Sequence, residues 1–187
     1  MKTKFILHGG LIGGINSYSD LFFKEILKDA PENPNVLLVL FAKEADAAPT
    51  SKARDMADFE KNSGGKKIIF QEADEKNFTE QLKSADVVYF HGGSTAKLLK
   101  ALQVFPNLKD SLGGKIVAGE SAGVYVLSTL FYSKTMGGLF AGLGIIPVKT
   151  ICHYTGENKE ELTGNDNLEI LLLADDQFKI FESVVKS

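Results

Sequence analysis

Apolar positions fall in short unbroken runs rather than in alternation. Phe5-Ile6-Leu7, Val36-Leu37-Leu38-Val39-Leu40-Phe41, Ile68-Ile69-Phe70 within the predicted strand Lys67 to Phe70, Val87-Val88-Tyr89-Phe90 and Ile116-Val117-Ala118 are the runs of the first two thirds of the chain. A run without polar interruption suits a strand covered on both faces, as in a parallel sheet. Between the runs the spacing is helical. One helix is predicted from Asp20 to Lys28, with Leu21, Phe22 and Ile26 at helical spacing and Ser17 or Ser19 as its cap. A second runs from Thr50 or Ser51 to Asn62 and stops at Gly64-Gly65. A third covers Phe78 to Lys83, and a fourth covers Ala96 to Gln103, capped by Ser94 or Thr95, with Leu98, Leu99 and Leu102 along one face. This alternation predicts an α/β fold in one domain, residues 1–187. Its doubly wound, mostly parallel sheet has helices on both faces and its site at the C-terminal strand ends.

Beyond Ser128 the pattern changes. Phe131 to Gly144, rich in glycine, aromatic and hydroxyl residues, reads as a loop or hairpin. Ile145 to Cys152 reads as a strand in which Pro147 calls for an edge or a bulge. The charged segment Gly156 to Asn167 reads as a loop with a short helix. Ile170 to Leu173 and Phe178 to Val184 read as two closing strands joined by a turn at Asp175-Asp176.

Composition narrows the function classes. With 187 residues, 44% of them hydrophobic, the chain can bury a core. A net charge of −3 and a single arginine, Arg54, give no footprint for nucleic acid. No apolar run has the length of a membrane span, and Met1-Lys2-Thr3-Lys4 leads directly into a strand, so neither membrane insertion nor a signal peptide is expected. The lone Cys152 excludes an intramolecular disulfide and fits a reducing, cytoplasmic setting. The glycines after the first strand, Gly9-Gly10 and Gly13-Gly14, match neither the dinucleotide fingerprint nor a phosphate loop; they read as the lining of a ligand crevice, with Gly10 a substrate-side position.

The stretch that carries chemistry is Lys115 to Ser128. A β-type run, the pentapeptide Gly119-Glu120-Ser121-Ala122-Gly123 and a helix-compatible segment give the nucleophile elbow, G-x-S-x-G, in its strand–turn–helix setting. The turn exposes the serine hydroxyl, and the flanking glycines let neighbouring backbone come close. A serine nucleophile needs a base, and the chain offers His8, His91 and His153. His153 follows a predicted strand and should emerge at the elbow's end of the sheet; the other two precede glycine turns and should line the crevice or support its loops. Backbone N–H groups of Ala122 and of the Gly92-Gly93 turn can form an oxyanion hole, with Gly92 and Ser94 at the substrate.

Three blocks in order, Gly92-Gly93-Ser94-Thr95-Ala96-Lys97-Leu98-Leu99, Gly119-Glu120-Ser121-Ala122-Gly123 and Cys152-His153-Tyr154, resemble the serine peptidase family of dipeptidase E and cyanophycinase. The resemblance covers most of the chain, from the first Gly-rich loop through Tyr154, and implies a class I glutamine amidotransferase-like fold. It also implies Ser121 as nucleophile, His153 as base, Gly93 and Ala122 as oxyanion donors, a small peptide as substrate, and no metal or organic cofactor. Two features depart from the family. The acidic triad member expected soon after the serine is missing, since that neighbourhood reads Ser133-Lys134-Thr135-Met136-Gly137; Glu157, or Glu120 beside the nucleophile, could replace it, or a Ser–His dyad could suffice. The arginine that an N-terminal aspartate would call for is also missing, because Arg54 is expected on a helix away from the elbow.

The leading expectation is a serine-type dipeptidase or short-peptide hydrolase, as a monomer or homodimer. An α/β-hydrolase-like esterase could use the same elbow, with His8-Gly9-Gly10 as an H-G-G oxyanion motif, although no histidine follows position 153. A non-catalytic small-ligand binder is the third reading, motivated by the missing acid. A glutamine amidotransferase would need cysteine at the elbow.

Overall fold

The computed structural model describes residues 2–10, 17–164 and 167–184. The Gly13-Gly14 part of the first glycine loop lies outside them. Ten strands and six α-helices follow in chain order among the described residues.

In the first part of the chain β1 (Lys2–His8), α1 (Ser17–Lys28), β2 (Asn35–Val39), α2 (Ala48–Lys61), β3 (Ile69–Glu72), α3 (Phe78–Ser84) and β4 (Val87–Phe90) alternate as the pattern predicts. After α4 (Thr95–Leu102), the unforeseen short α5 (Leu108–Ser111) and β5 (Ile116–Glu120), the strands stand in the order β1-β5-β4-β2-β3, all parallel. Both faces of this sheet are covered. Ile6, Val36, Leu38, Val87 and Tyr89 pack on one face under Phe22 and Phe23 of α1 and Phe59 of α2. Leu37, Val39, Val88, Phe90 and Val117 pack on the other under α3, α4 and α5. In β1, β2, β4 and β5 the unbroken apolar runs thus supply residues to two cores at once, alternating between them along each strand, whereas the edge strand β3 packs Phe70 on one core and leaves Ile69 exposed. The chain moves outward from β1 to β3 with helices on one face and returns through β4 to β5 with helices on the other, which leaves β5 between β1 and β4.

The last third builds a second sheet. α6 (Ala122–Leu127) runs directly into β6 (Ser128–Ser133), which forms a hairpin with β7 (Gly138–Ala141). β8 (Ile146–Cys152) lies parallel between β6 and β9 (Glu169–Leu173), beyond a 3₁₀ turn at Lys159–Leu162. Pro147 therefore sits in an interior strand, and the sheet accommodates it with a bulge: Ser128 faces Ile146 and Leu130 faces Lys149, so one residue of β6 spans Pro147 and Val148. The two closing strands do not pair with each other. β9 belongs to the second sheet, whereas β10 (Phe178–Val184) returns to the first and runs antiparallel along β1. A turn signal fixes a reversal, but the partner each strand takes depends on which sheet offers a free edge. Residues 174–177 consequently bridge the two sheets beside the C-terminal end of β1. No helix among the described residues is long and apolar enough to cross a membrane.

Candidate active site

β5 ends at Glu120 and α6 begins at Ala122, which leaves Ser121 alone to make the turn. Its backbone is strained, with φ 48° and ψ −101°. A non-glycine residue held there costs about 1–3 kcal/mol and stays only where its surroundings fix it. Ser121 N–H donates to the His8 carbonyl at 3.0 Å, and Tyr125 N–H donates to the Ser121 carbonyl at 3.0 Å. The two elbow glycines are steric necessities: a Cβ on Gly123 would lie 2.3 Å from the Phe90 carbonyl oxygen, and one on Gly119 would lie 3.0 Å from the carbonyl carbon of Gly123.

His153 leaves β8 with φ 53°, its N–H bonded to the Gly9 carbonyl at 3.1 Å. Its Nε2 lies 2.9 Å from Ser121 Oγ. Its Nδ1 lies 2.6 Å from Asp175 Oδ1. A carboxylate only accepts, so the proton belongs on Nδ1 and Nε2 is left to receive the serine proton. Tyr125 ties the end of β8 to α6, since its hydroxyl accepts from Cys152 N–H at 3.0 Å and donates to the Cys152 carbonyl at 3.3 Å. Burial pushes the Cys152 thiol well above its ordinary pKa, and its weak contact is to the Ser121 carbonyl at 3.7 Å; it packs against the elbow backbone.

The carboxylate that meets His153 is Asp175, which is neither of the sequence candidates for the acid. Glu157 is exposed, and its carboxylate accepts from Lys134 Nζ at 2.9 Å, which also lowers its pKa; it makes no contact with His153. Asp175 stands on the bridge between the sheets and reaches the histidine because three backbone bonds hold that bridge: Gly9 N–H to the Gln177 carbonyl at 2.8 Å, Asp176 N–H to the Gly10 carbonyl at 3.3 Å, and Gln177 N–H to the Ala174 carbonyl at 3.2 Å. The glycines of the first loop make these approaches possible. A Cβ on Gly9 would meet the Ala174 carbonyl oxygen at 2.1 Å; one on Gly10, where φ is +132°, would meet His153 Cε1 at 2.1 Å. Gly10 therefore lies under the histidine ring and is not among the residues that line the cleft, contrary to the substrate-side expectation. His8 lies below the same loop, fully buried, its Nδ1 accepting from Gly10 N–H at 3.1 Å and its ring 4.8 Å from that of Phe22. Burial pushes its pKa down to about 4, so it is neutral near pH 7.

Ser121 and His153 open on a cleft of about 730 Å³, also lined by Gly92, Gly93, Ser94 and Glu120. Ser94 caps α4, its hydroxyl accepting from Lys97 N–H at 3.4 Å. Gly93 has φ +146°, and a Cβ there would lie 2.7 Å from the Ala42 carbonyl oxygen, so this turn of the cleft wall is open to backbone only. Ala122 is the first residue of α6, where an N–H has no intrahelical acceptor.

Arg54 is where the sequence did not place it. α2 carries it to the cleft, where its guanidinium meets Asp55 Oδ1 at 3.2 Å, His91 Nε2 at 3.3 Å and Glu120 Oε2 at 4.0 Å. Asp55 and His91 are fully buried and lie 2.7 Å apart, and Tyr89 Oη donates to Glu120 Oε2 at 2.9 Å. Burial raises the Glu120 pKa, opposed by His91, Arg54 and the Tyr89 bond. Among the described residues no cluster of His, Cys, Asp and Glu could hold a metal ion.

The profile of peptidase family S51 matches residues 6–178. The chain belongs to peptidase family S51. It is a serine-type peptidase, as the family resemblance implied. Solved structures share the fold. A peptidase from an acI-B1 Actinobacterium superposes with a TM-score of 0.73 at 21% identity, over 97% of this chain and 84% of that one. A peptidase E candidate from Listeria monocytogenes EGD-e gives a TM-score of 0.68 at 17% identity over the whole of both chains. No curated protein matches the chain. Within this S51 peptidase, sequence reasoning missed Asp175 and the position of Arg54. The one signal for Asp175 was a predicted turn of two aspartates directly after an apolar strand.

Proposed function

We propose that this peptidase hydrolyses dipeptides or short peptides through an acyl-enzyme formed on Ser121. His153 Nε2 takes the proton of Ser121 Oγ as the oxygen attacks the scissile carbonyl, then gives it to the departing amine; water repeats the sequence on the acyl-enzyme and frees the serine. Asp175 holds the Nδ1–H tautomer and stabilises the imidazolium that forms. The N–H groups of Gly93 and Ala122 receive the negative oxygen of the tetrahedral intermediate. The observation that carries this reading is the unbroken relay from Ser121 Oγ to His153 at 2.9 Å and from His153 to Asp175 at 2.6 Å, at a strained elbow facing a cleft. A volume of about 730 Å³ is in the range of small-ligand pockets and suits a short peptide. Arg54 in the cleft wall supplies a partner for an acidic group, so Asp-X and Glu-X substrates fit as well as neutral ones. The carboxylate beside His153 removes the motive for a non-catalytic binding role. The test is hydrolysis of a dipeptide panel with acidic, neutral and β-linked members by wild type, Ser121→Ala and His153→Ala. Turnover abolished in both variants is the expected result; turnover untouched by either overturns the proposal.

A further inference from the structure

Lys43, Arg54 and Lys134 are the cations among the described residues that line the cleft. The first two belong to the wall built on the Gly92-Gly93 turn. Lys43 follows Ala42, whose carbonyl accepts from Ser94 N–H at 2.9 Å, and Arg54 meets His91 and Glu120. Lys134 belongs to the wall that carries His153. It stands in the turn between β6 and β7, and its Nζ donates to Thr155 Oγ1 at 2.8 Å and to Glu157 Oε2 at 2.9 Å, both on the segment that follows His153. An ammonium has three donors, so one is left for a further acceptor. The Glu157 side chain is 73% exposed, and an ion pair so open to water is weak, so another carboxylate can share the ammonium or take it over. This turn is also where the family resemblance calls for an acid, and Ser133 to Gly137 hold a lysine and no carboxylate. The carboxylate at His153 comes instead from Asp175, on the bridge between the sheets.

The wall on which the lysine stands decides what it can meet. In the proposed reaction His153 Nε2 gives its proton to the departing amine, so the leaving residue has to lie on the histidine's wall, while the carbonyl oxygen turns toward Gly93 and Ala122. In a dipeptide that leaving residue ends in a free α-carboxylate, two bonds from the nitrogen that takes the proton. A tripeptide or a dipeptide amide has no anion at that place. We infer that Lys134 receives the α-carboxylate of the leaving residue, so that the enzyme prefers substrates with a single residue after the scissile bond. The inference rests on the peptidase reading of the cleft and adds to it the group that measures length on the leaving side.

The test takes the best-cleaved member of the dipeptide panel, its C-terminal amide, and the tripeptide that extends it by one residue, and follows release of the first amino acid from each. The amide is the better leaving group, so chemistry alone does not favour the free acid. Wild type should cleave the dipeptide with kcat/KM about 10- to 100-fold above the other two, the range for one hydrogen bond to a charged group. Lys134→Met should lose that factor on the dipeptide alone, and Lys134→Arg should restore most of it. Glu157→Gln, which removes the ion pair and leaves the ammonium, should keep the preference. Equal losses by Lys134→Met on all three substrates, or the same loss of preference in Glu157→Gln, would make the lysine a structural tie between the turn and the segment after His153 and overturn the inference. Wild type that cleaves all three alike would overturn it whether or not the variants fold, and would leave the peptidase reading standing. Wild type that cleaves no peptide removes both.

Discussion

Gly10→Ala probes how the first loop sets His153, the proposed base. The added methyl would lie 2.1 Å from His153 Cε1, 2.7 Å from Nε2 and 2.8 Å from Nδ1. Carbon atoms in contact sit about 3.5–4.0 Å apart, so the ring has to retreat by more than ~1 Å. The loop cannot yield in its place easily, because Gly10 N–H is bonded to His8 Nδ1 and the Gly10 carbonyl to Asp176 N–H. A displacement of about 1 Å at a reacting group costs on the order of 10²-fold in rate. Alanine at φ +132° adds backbone strain of about 1–3 kcal/mol. The expected result is therefore a fall in kcat/KM of about 10²-fold or more on any dipeptide the wild type cleaves, slower fluorophosphonate labelling of Ser121, and a urea midpoint lowered by that much strain. Wild-type turnover with wild-type stability would refute the reasoning, since it would mean that the ring and the glycine are not in contact.

Asp175→Asn should lower kcat about 10²- to 10⁴-fold by favouring the wrong histidine tautomer, whereas Glu157→Gln should stay within a few-fold of wild type; steady-state kinetics of the two variants decide which carboxylate serves the histidine. His8 gives stability a pH dependence of known sign. An unfolded histidine titrates near 6.5 and folded His8 near 4, so the unfolded chain binds the proton first, and up to about 3 kcal/mol of stability is lost as pH falls from 6.5 to 4. Urea unfolding at pH 7 and pH 5 should show this slope, and His8→Asn should flatten it. Gly123→Ala pushes a methyl to 2.3 Å from the Phe90 carbonyl oxygen and should destabilise the fold by about 1–3 kcal/mol, read as a lowered thermal midpoint.

The parallel sheet was legible because buried strands write themselves as unbroken apolar runs, and the stretch Val36 to Val39 of β2 is one of them. The elbow was legible because its constraint is local: Gly119 and Gly123 are required by contacts a few residues away and by the adjacent strand. His153 could be chosen because it follows a strand of recognisable pattern. Asp175 could not be, because its place depends on β9 joining one sheet and β10 the other, a pairing decided by free edges far along the chain. Arg54 escaped for a related reason. Helical spacing tells that α2 exists, but which residue of its turn reaches the cleft depends on how it packs against Tyr89 and Phe23 through Phe59. Gly10 was read as leaving room for a ligand; the room is taken by the protein's own histidine.

The central claim is that Ser121 is a nucleophile activated by His153. Its most direct test is reaction with a fluorophosphonate, with the adduct located by mass spectrometry in wild type and in His153→Ala. The account predicts one adduct, on Ser121, forming far more slowly in the variant. An adduct elsewhere, none at all, or equal rates in both proteins would contradict it.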